Sequence, residues 1–597
     1  MSIRVADIVA SFLVEKGIKD IFTLTGGGAM FLNDGIESNK NINSICNHHE
    51  QACAMSAVGY AKYKNELAAV MLTTGCGATN AITGLLDAWQ DNTPVIFISG
   101  QIKRKETSRN SKTSLRQFGV QEADIISVVD SLTKYAVMIN EPNEVLFHLE
   151  KAVYLALNGR SGPVWLDIPL DVQGASVDEN DLKHFIPEYT NNQSIKGIDS
   201  FLKLYKNSKR PIILAGNGVR LSGSIDKLRE FARNNNIPCV VSYLAIDYFE
   251  QDNPNYVGRL GIKGDRAGNF AIQNSDLIIC LGSRLSVSLT GFEYELFARS
   301  SKLVVIDIDE KEHKKNTVSI DYFIKSDVGV FFQTIQDRVD KKQHGDWQEK
   351  CIYWKNKWPV YQKGYDLNSV NMYEFVKALS ELSTEDSIVV SDAGSSFYVT
   401  AQSFILKNIN QRHITSGGQA DMGFTLPAAI GACISSNKSV IGITGDGSFQ
   451  LNIQELQTVK HYNLPVKLFV WNNNGYLSIR ATQDKFFDGR RIGTDPASGL
   501  SFPEVEKIAH AYDIPYVKIT NVAELRENIS NIISQEGPVI CEVMCPEFQE
   551  IIPAVSAVKN ADGSMTSKPI EDMYPYLERK EFYDNFYLYQ NRVCHCI

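Results

Sequence analysis

The chain has 597 residues, 44% of them apolar and 22% charged, with a net charge of −9. That is too long for one hydrophobic core and points to about three or four domains of ordinary globular composition. The acidic balance, without any lysine- or arginine-rich block, argues against nucleic acid as a partner, and no run of about 18 uncharged apolar residues is present to span a membrane.

In chain order, MSIRVADIVASFLVEKGIKD spreads charges through its apolar positions and reads as an amphipathic helix, not as a secretion signal. The 11 cysteines have no zinc-site spacing and read as reduced thiols of a cytoplasmic protein. ELAAVMLTT, TPVIFISG and GPVWLDIP read as buried strands, with a helical stretch, GATNAITGLLDAWQD, among them. After a polar stretch near residues 185–195, RPIILAGNG, SDLIICLGS and SKLVVIDID repeat the pattern. A second break is expected near residues 340–370, rich in Lys, Trp and Tyr. Then come SIVVSDAGS, KSVIGITGDG, PVKLFVWNNN and GPVICEVM. This βαβα rhythm predicts an α/β protein of three domains, each a mainly parallel sheet flanked by helices. The expected boundaries are 1–185, 195–342 and 365–570, followed by an arm at 571–597. The Tyr- and Phe-rich ending should pack on the body or on another subunit, because aromatics at that density are costly to expose. Cys594-His595-Cys596 reads as a frayed tail in preference to a metal site.

The most informative segment is GDGSFQLNIQELQTVKHYNLPVKLFVWNNNGY. A strand runs into Gly445-Asp446-Gly447-Ser448, and the next strand ends at Asn472-Asn473-Asn474. Asp446 and Asn473 therefore stand at the carboxyl ends of parallel strands, where open α/β sheets bind ligands. One carboxylate, one amide oxygen and a backbone carbonyl suit Mg²⁺ that keeps phosphate and water oxygens as its other ligands. The glycines let the backbone approach a diphosphate, and the following helix N-terminus offers it N–H donors.

This strand–GDG–helix–strand–NN pattern resembles the thiamine diphosphate motif of the pyruvate-oxidase and acetolactate-synthase family, and the resemblance extends over nearly the whole chain. It implies two cofactor-type domains around a central Rossmann-like domain. It also implies Mg²⁺ on Asp446, Asn473 and the Gly475 carbonyl. NHHEQACAMSAVGYAK is similar to the segment carrying the family's catalytic glutamate, which puts that role on Glu50. Such a carboxyl shares a proton with the cofactor's aminopyrimidine and should be sheltered from water. Taken alone, Glu50 would be a surface glutamate of a helix. TTGCGATN places Gly75, Gly77 and Asn80 near the pyrimidine, and RQFGVQEAD places Gln121 toward the reacting carbon. SDAGSS puts Ser395 and Ser396 at the diphosphate, and TSGGQADMGF puts Met422 under the cofactor. The resemblance further implies at least a homodimer, because the Glu50 and Asp446 domains of different subunits share one site.

Acetolactate synthases join a pyruvate-derived two-carbon unit to a second 2-keto acid. Here the acceptor region departs from them: a Met and a Trp of the synthases align with Ser478 and Thr482, and the lysine before DVQ is Leu170. The segment TLTGGGAMFLND is one residue longer than the usual synthase version. Small polar side chains make a wetter pocket, as a hydroxylated substrate needs. Arg480 either meets a carboxylate or phosphate of the acceptor or is a solvated helix arginine. These variants and the ending SKPIEDMYPYLERKEF resemble a subgroup linked to surface polysaccharide and branched-sugar biosynthesis. The expected reaction is thus transfer of an acyl unit from pyruvate to a ketone such as a nucleotide-linked keto-sugar. The alternatives are acetolactate synthesis, another 2-keto acid decarboxylation or a flavin-linked oxidation. In the middle domain, Arg284, Asp307 and Asp309 match the synthase flavin region, but a histidine there is Lys263 and paired aspartates are Leu285 and Ser286. The pocket is expected to hold FAD without redox duty, to hold another nucleotide or to be empty. A non-catalytic subunit would have no need of Glu50, Asp446 and Asn473 together.

Overall fold

The computed structural model describes residues 2–187, 195–339, 344–362, 364–365 and 368–587. The tail Cys594-His595-Cys596 and most of the polar stretch near residue 190 lie outside them. All ten apolar runs read as strands are strands, and each belongs to one of three six-stranded parallel sheets. Several are buried along their whole length, such as Ala68–Leu72, Val95–Gln101 and Val164–Pro169. Burial on both faces is why they appear as unbroken apolar runs instead of alternating ones.

The N-terminal sheet runs Asn43–Cys46, Asp20–Thr23, Ala68–Leu72, Val95–Gln101, Val164–Pro169, Ala136–Met138. The C-terminal sheet runs Arg412–Thr415, Ile388–Ser391, Val440–Gly445, Val466–Asn472, Val539–Met544, Tyr516–Ile519. Counted within each domain, both have the spatial order 2-1-3-4-6-5, so one topology is used twice although no sequence repeat is visible. The central sheet differs: Tyr256–Arg259, Cys239–Val241, Pro211–Ala215, Leu277–Leu281, Lys302–Asp307, Tyr322–Lys325, the order 3-2-1-4-5-6 of dinucleotide-binding folds.

The outer domains meet through helix Glu50–Lys64 and helix Thr425–Ser436. Two glycines set their distance. A β-carbon on Gly59 would stand 2.3 Å from the Ala428 carbonyl oxygen, and one on Gly431 would stand 1.9 Å from that of Ser56. The Ser56 hydroxyl donates to the Pro427 carbonyl at 2.9 Å. Gly431→Ala should therefore destabilise the protein by about 1–3 kcal/mol despite alanine's better helix propensity, since backbone carbonyls cannot rotate away. A urea midpoint equal to that of the wild type would show that this crossing yields.

The Lys-, Trp- and Tyr-rich stretch read as a break contains helix Gly345–Lys357, which lies on the central domain. Its Trp347 donates to the Pro211 carbonyl at 2.9 Å, and its Trp354 to Asn585 Oδ1 at 2.9 Å. Phe582 and Phe586 from the chain's end close over Phe270. As far as residue 587, the aromatic ending packs on the central body of its own chain. Among the described residues no helix is long and apolar enough to cross a membrane.

Candidate active site

Asp446 follows the strand Val440–Gly445 and opens the short helix Asp446–Phe449. It is buried, and its carboxylate accepts three backbone N–H bonds, from Gly447 at 2.7 Å and from Asn473 and Gly475 at 3.1 Å each. Burial outweighs these bonds and pushes the carboxyl up to about 6. Gly475 has φ +147°, and a β-carbon there would stand 2.1 Å from the Thr494 carbonyl oxygen, so the turn admits only glycine. Gly447 is held as tightly, its β-carbon position lying 2.0 Å from the Tyr476 ring, whereas the space beside Gly445 is open for 4 Å.

These residues fit Mg²⁺ and a diphosphate. The amide of Asn473 is buried with its nitrogen unpartnered, so one end of that amide has no protein group to bond. Among the described residues no cluster of three His, Cys, Asp or Glu side chains stands at metal-binding distance. A set of one carboxylate, one amide and one carbonyl suits a magnesium ion that takes phosphate oxygens as further ligands.

The helix Leu477–Phe486 leaves this turn, and it separates the three expected acceptor residues. Ser478 is half-buried, its hydroxyl 3.5 Å from a β-carbon position on Gly394. Thr482 is exposed one turn later, and its hydroxyl donates to the Ser478 carbonyl at 2.9 Å. Arg480 is not a solvated helix arginine. It is 1% exposed, donates to the Asn473 carbonyl at 3.0 Å and lies 5.1 Å from the centre of the Phe548 ring. A guanidinium so enclosed braces the turn at Asn473.

Ser395 is half-buried in the first turn of helix Gly394–Ser403. Ser396, expected at the diphosphate, is fully buried and donates to Asp392 at 2.7 Å. Ser448 also donates to Asp392, at 2.6 Å, and accepts from the Gly423 N–H at 2.7 Å. Thr444 adds a third hydroxyl at 2.9 Å. Burial raises the Asp392 carboxyl against these hydroxyls. Asp392 is thus the hub that holds the Gly394 and Gly445–Ser448 turns together, and the sequence reading missed it. The available signal was an aspartate ending a strand just before Ala-Gly. Met422 is half-buried between Ala420 at φ +55° and Gly423 at φ +81°.

On the N-terminal domain, Glu50 begins its helix, is 7% exposed and accepts from Asn80 Nδ2 at 3.0 Å. The Gly77 β-carbon position is 3.4 Å from Glu50 Oε1, so the glycine-rich turn lies directly on the carboxylate. Gly75, at φ +64°, has the Gln121 carbonyl oxygen 2.1 Å from its β-carbon position. Gln121 itself, at φ +60°, is exposed there. Glu122 fastens that loop by accepting from the backbone N–H groups of Phe118 and Gly119, and from the Ser108 backbone N–H and hydroxyl. Glu50, Gly75, Gly77, Asn80 and Gln121 therefore form one group. Among the described residues no hydrogen bond joins Glu50, Asn80 or Gln121 to Asp446, Asn473 or Gly475.

A second cleft opens at the carboxyl ends of the central strands, between Gly216 and Gly282, where the strand order reverses. Arg284, Ser286 and Asp307 line it. Asp309 is ion-paired to Arg160 at 2.8 Å, and Leu285 is buried. Lys263 donates to the Ile551 carbonyl at 3.0 Å, and burial, with Lys485 nearby, lowers its ammonium to about 8.

Family models of the thiamine pyrophosphate enzymes match this chain three times. The N-terminal TPP binding domain covers residues 3–128, the central domain 198–335 and the C-terminal TPP binding domain 392–543. The acetolactate synthase large subunit of Lactococcus lactis subsp. lactis is 32% identical over 562 residues, spanning 93% of this chain and 95% of that protein. The chloroplastic acetolactate synthase of Arabidopsis thaliana is 31% identical over 565 residues, 92% of this chain and 82% of its own. The acetolactate synthase large subunit of Cyanidium caldarium is 30% identical over 568 residues, 92% of this chain and 94% of its own. With the Gly-Asp-Gly turn and the sheltered Glu50 in place, the chain belongs to the thiamine-diphosphate-dependent enzymes and is an acetolactate-synthase-like carboligase.

Proposed function

We propose that this enzyme decarboxylates pyruvate and transfers the two-carbon acyl unit to the keto group of a hydroxylated acceptor, a nucleotide-linked keto-sugar. The observation that carries this reading is Ser478, a small half-buried hydroxyl beside Gly394 at the edge of the phosphate turns. A polar group there can hydrogen-bond an acceptor hydroxyl and so favour it over an acceptor that lacks one. Acetolactate formation is the second reading, favoured by identities of 30–32% to synthases over more than nine-tenths of the chain.

Thiamine diphosphate, when bound, supplies an acidic carbon that adds to a 2-keto carbonyl and accepts the electron pair left by carbon dioxide. Glu50, held by Asn80, would be the carboxyl that exchanges a proton with the aminopyrimidine ring. Asp446, Asn473 and the Gly475 carbonyl would hold Mg²⁺. The Gly445–Ser448 turn and Ser395 would receive the diphosphate, with Ser396 supporting through Asp392. Met422 would lie under the cofactor, and Gln121 would face the reacting carbon from an exposed loop. By the resemblance to the family, in which two subunits share a site, we assign the working unit as at least a homodimer. The nine described cysteines are all free, which suits a reducing cytoplasm. The central cleft suits FAD or another nucleotide by its strand order and by Arg284 and Asp307.

Product analysis tests the acceptor. Holoenzyme with labelled pyruvate and a panel of nucleotide-linked 4-keto sugars should yield a sugar heavier by the two-carbon acetyl group and the hydrogen taken up by the new hydroxyl. Acetolactate alone, formed at full rate, would replace this reading with the second. Mass analysis of small molecules released from the same preparation by acid decides between a flavin, another nucleotide and neither.

A further inference from the structure

A cavity of about 460 Å³ opens where the three domains meet, away from the phosphate turns. Tyr63 reaches it from helix Glu50–Lys64, and Arg412 from the strand Arg412–Thr415. Arg220, Asp226, Arg229 and Asp247 come from the central domain. Asp247 is 3% exposed and bridges two domains by accepting from both Arg220 and Arg412. Burial alone would raise its carboxyl, but the two guanidiniums hold it at about 2.

The charges lining the cavity do not balance. Three guanidiniums face two carboxylates, and the Asp226 side chain is 93% exposed, so water screens it. Neighbouring His413 is neutral at pH 7, because burial lowers its imidazole to about 4. Burial, and then the charge of Arg220, also lower the Arg412 guanidinium from its ordinary value. Donors remain as well. Arg229 uses Nε on the Tyr248 carbonyl and Nη1 on Asp226, and Arg220 uses Nη2 on Asp247. Arg229 Nη2 and Arg220 Nη1 have no hydrogen-bond partner among the described residues. Forked guanidinium donors around a net positive cavity match the several acceptor oxygens of a phosphate group.

We propose that this junction binds an oxyanion of the phosphate class, either free phosphate or the phosphate end of a nucleotide. Such a ligand would draw Arg220, Arg229 and Arg412 together and fasten the three domains. Arg412 Nη2 already donates to the Lys62 carbonyl at 2.7 Å, and Asn65 donates to the Arg220 carbonyl at 3.2 Å. Occupancy would thus tighten the end of the helix that begins with Glu50, making the site a candidate for an effector.

The test uses holoenzyme saturated with thiamine diphosphate and Mg²⁺, so that the phosphate turns are already filled. Inorganic phosphate, compared with chloride at equal ionic strength, should raise the unfolding midpoint saturably by about 2 °C or more. Calorimetric titration of wild-type holoenzyme should give one phosphate site per chain. Arg229→Gln, which leaves the Asp247 bridge intact, should abolish both. ADP binding tenfold tighter than phosphate and lost in the same variant would identify a nucleotide as the source, whereas equal affinity would identify free phosphate. The proposal is overturned by the absence of saturable heat with wild type, or by phosphate binding that persists unchanged in Arg229→Gln.

Discussion

Replacing Glu50 with glutamine is expected to leave thiamine diphosphate bound while turnover falls by a factor of about 10²–10⁴, the usual worth of a positioned acid–base group. Glutamine has nearly the same shape, and its carbonyl oxygen can still accept from Asn80. The glycine-rich turn therefore keeps its seat on residue 50, since the Gly77 contact is with the side-chain end and not with its charge. What is lost is the group that gains and loses a proton. Cofactor affinity by calorimetry and kcat under saturating pyruvate separate the two effects. A variant with near-normal kcat would mean that another residue does this work. The buried Glu455 is a poor substitute, because its oxygens already accept from Asn47, the His48 N–H and Thr458.

Asp446→Ala should weaken Mg²⁺-dependent binding of thiamine diphosphate by more than about 100-fold, beyond the 10–100-fold typical of groups that only support a metal ligand. The substitution removes the carboxylate and also strands the N–H groups of Gly447, Asn473 and Gly475. Part of the loss would then come from a loosened turn. Asp446→Asn separates the two roles in part, because its one amide oxygen can keep the Asn473 and Gly475 bonds while its NH2 leaves the Gly447 N–H unpaired and the negative charge disappears. Its unfolding midpoint should fall less than that of Asp446→Ala while dependence on Mg²⁺ is lost. Unchanged cofactor affinity in both variants would remove the metal assignment.

The same pair of substitutions tests the assembly. If Glu50 and Asp446 serve one site from different subunits, mixing inactive Glu50→Gln and Asp446→Ala proteins under exchange conditions restores one intact site to each mixed dimer. Random exchange then returns about a quarter of wild-type activity, as expected for a symmetric interface. No recovery, despite demonstrated exchange, would place both residues in a site made by a single chain.

Much of this was legible before any coordinates. Sheets buried on both faces impose uninterrupted Val- and Ile-rich runs, so the ten strands could be read one at a time. Asp446 and Asn473 could be paired because each ends a strand that is adjacent in sequence, where the chain itself delivers ligands to the sheet edge. The twofold use of one topology could not be read, because the order 2-1-3-4-6-5 is a property of crossovers and leaves no trace in local patterning. Nor could the roles of single polar residues. YLSIRATQ reads as a polar helix, and only Phe548 and the Asn473 carbonyl, arriving from other parts of the fold, enclose Arg480. Asp392 gathers hydroxyls from residues 396, 444 and 448, and Asp247 joins arginines 192 positions apart. The sequence alone determined the α/β class by periodicity and, through its resemblance to a known motif, thiamine diphosphate as the cofactor, since both are carried by residues close along the chain. Tertiary structure alone decided which polar groups face a ligand and which brace the site, because burial and hydrogen bonding depend on partners brought from distant segments.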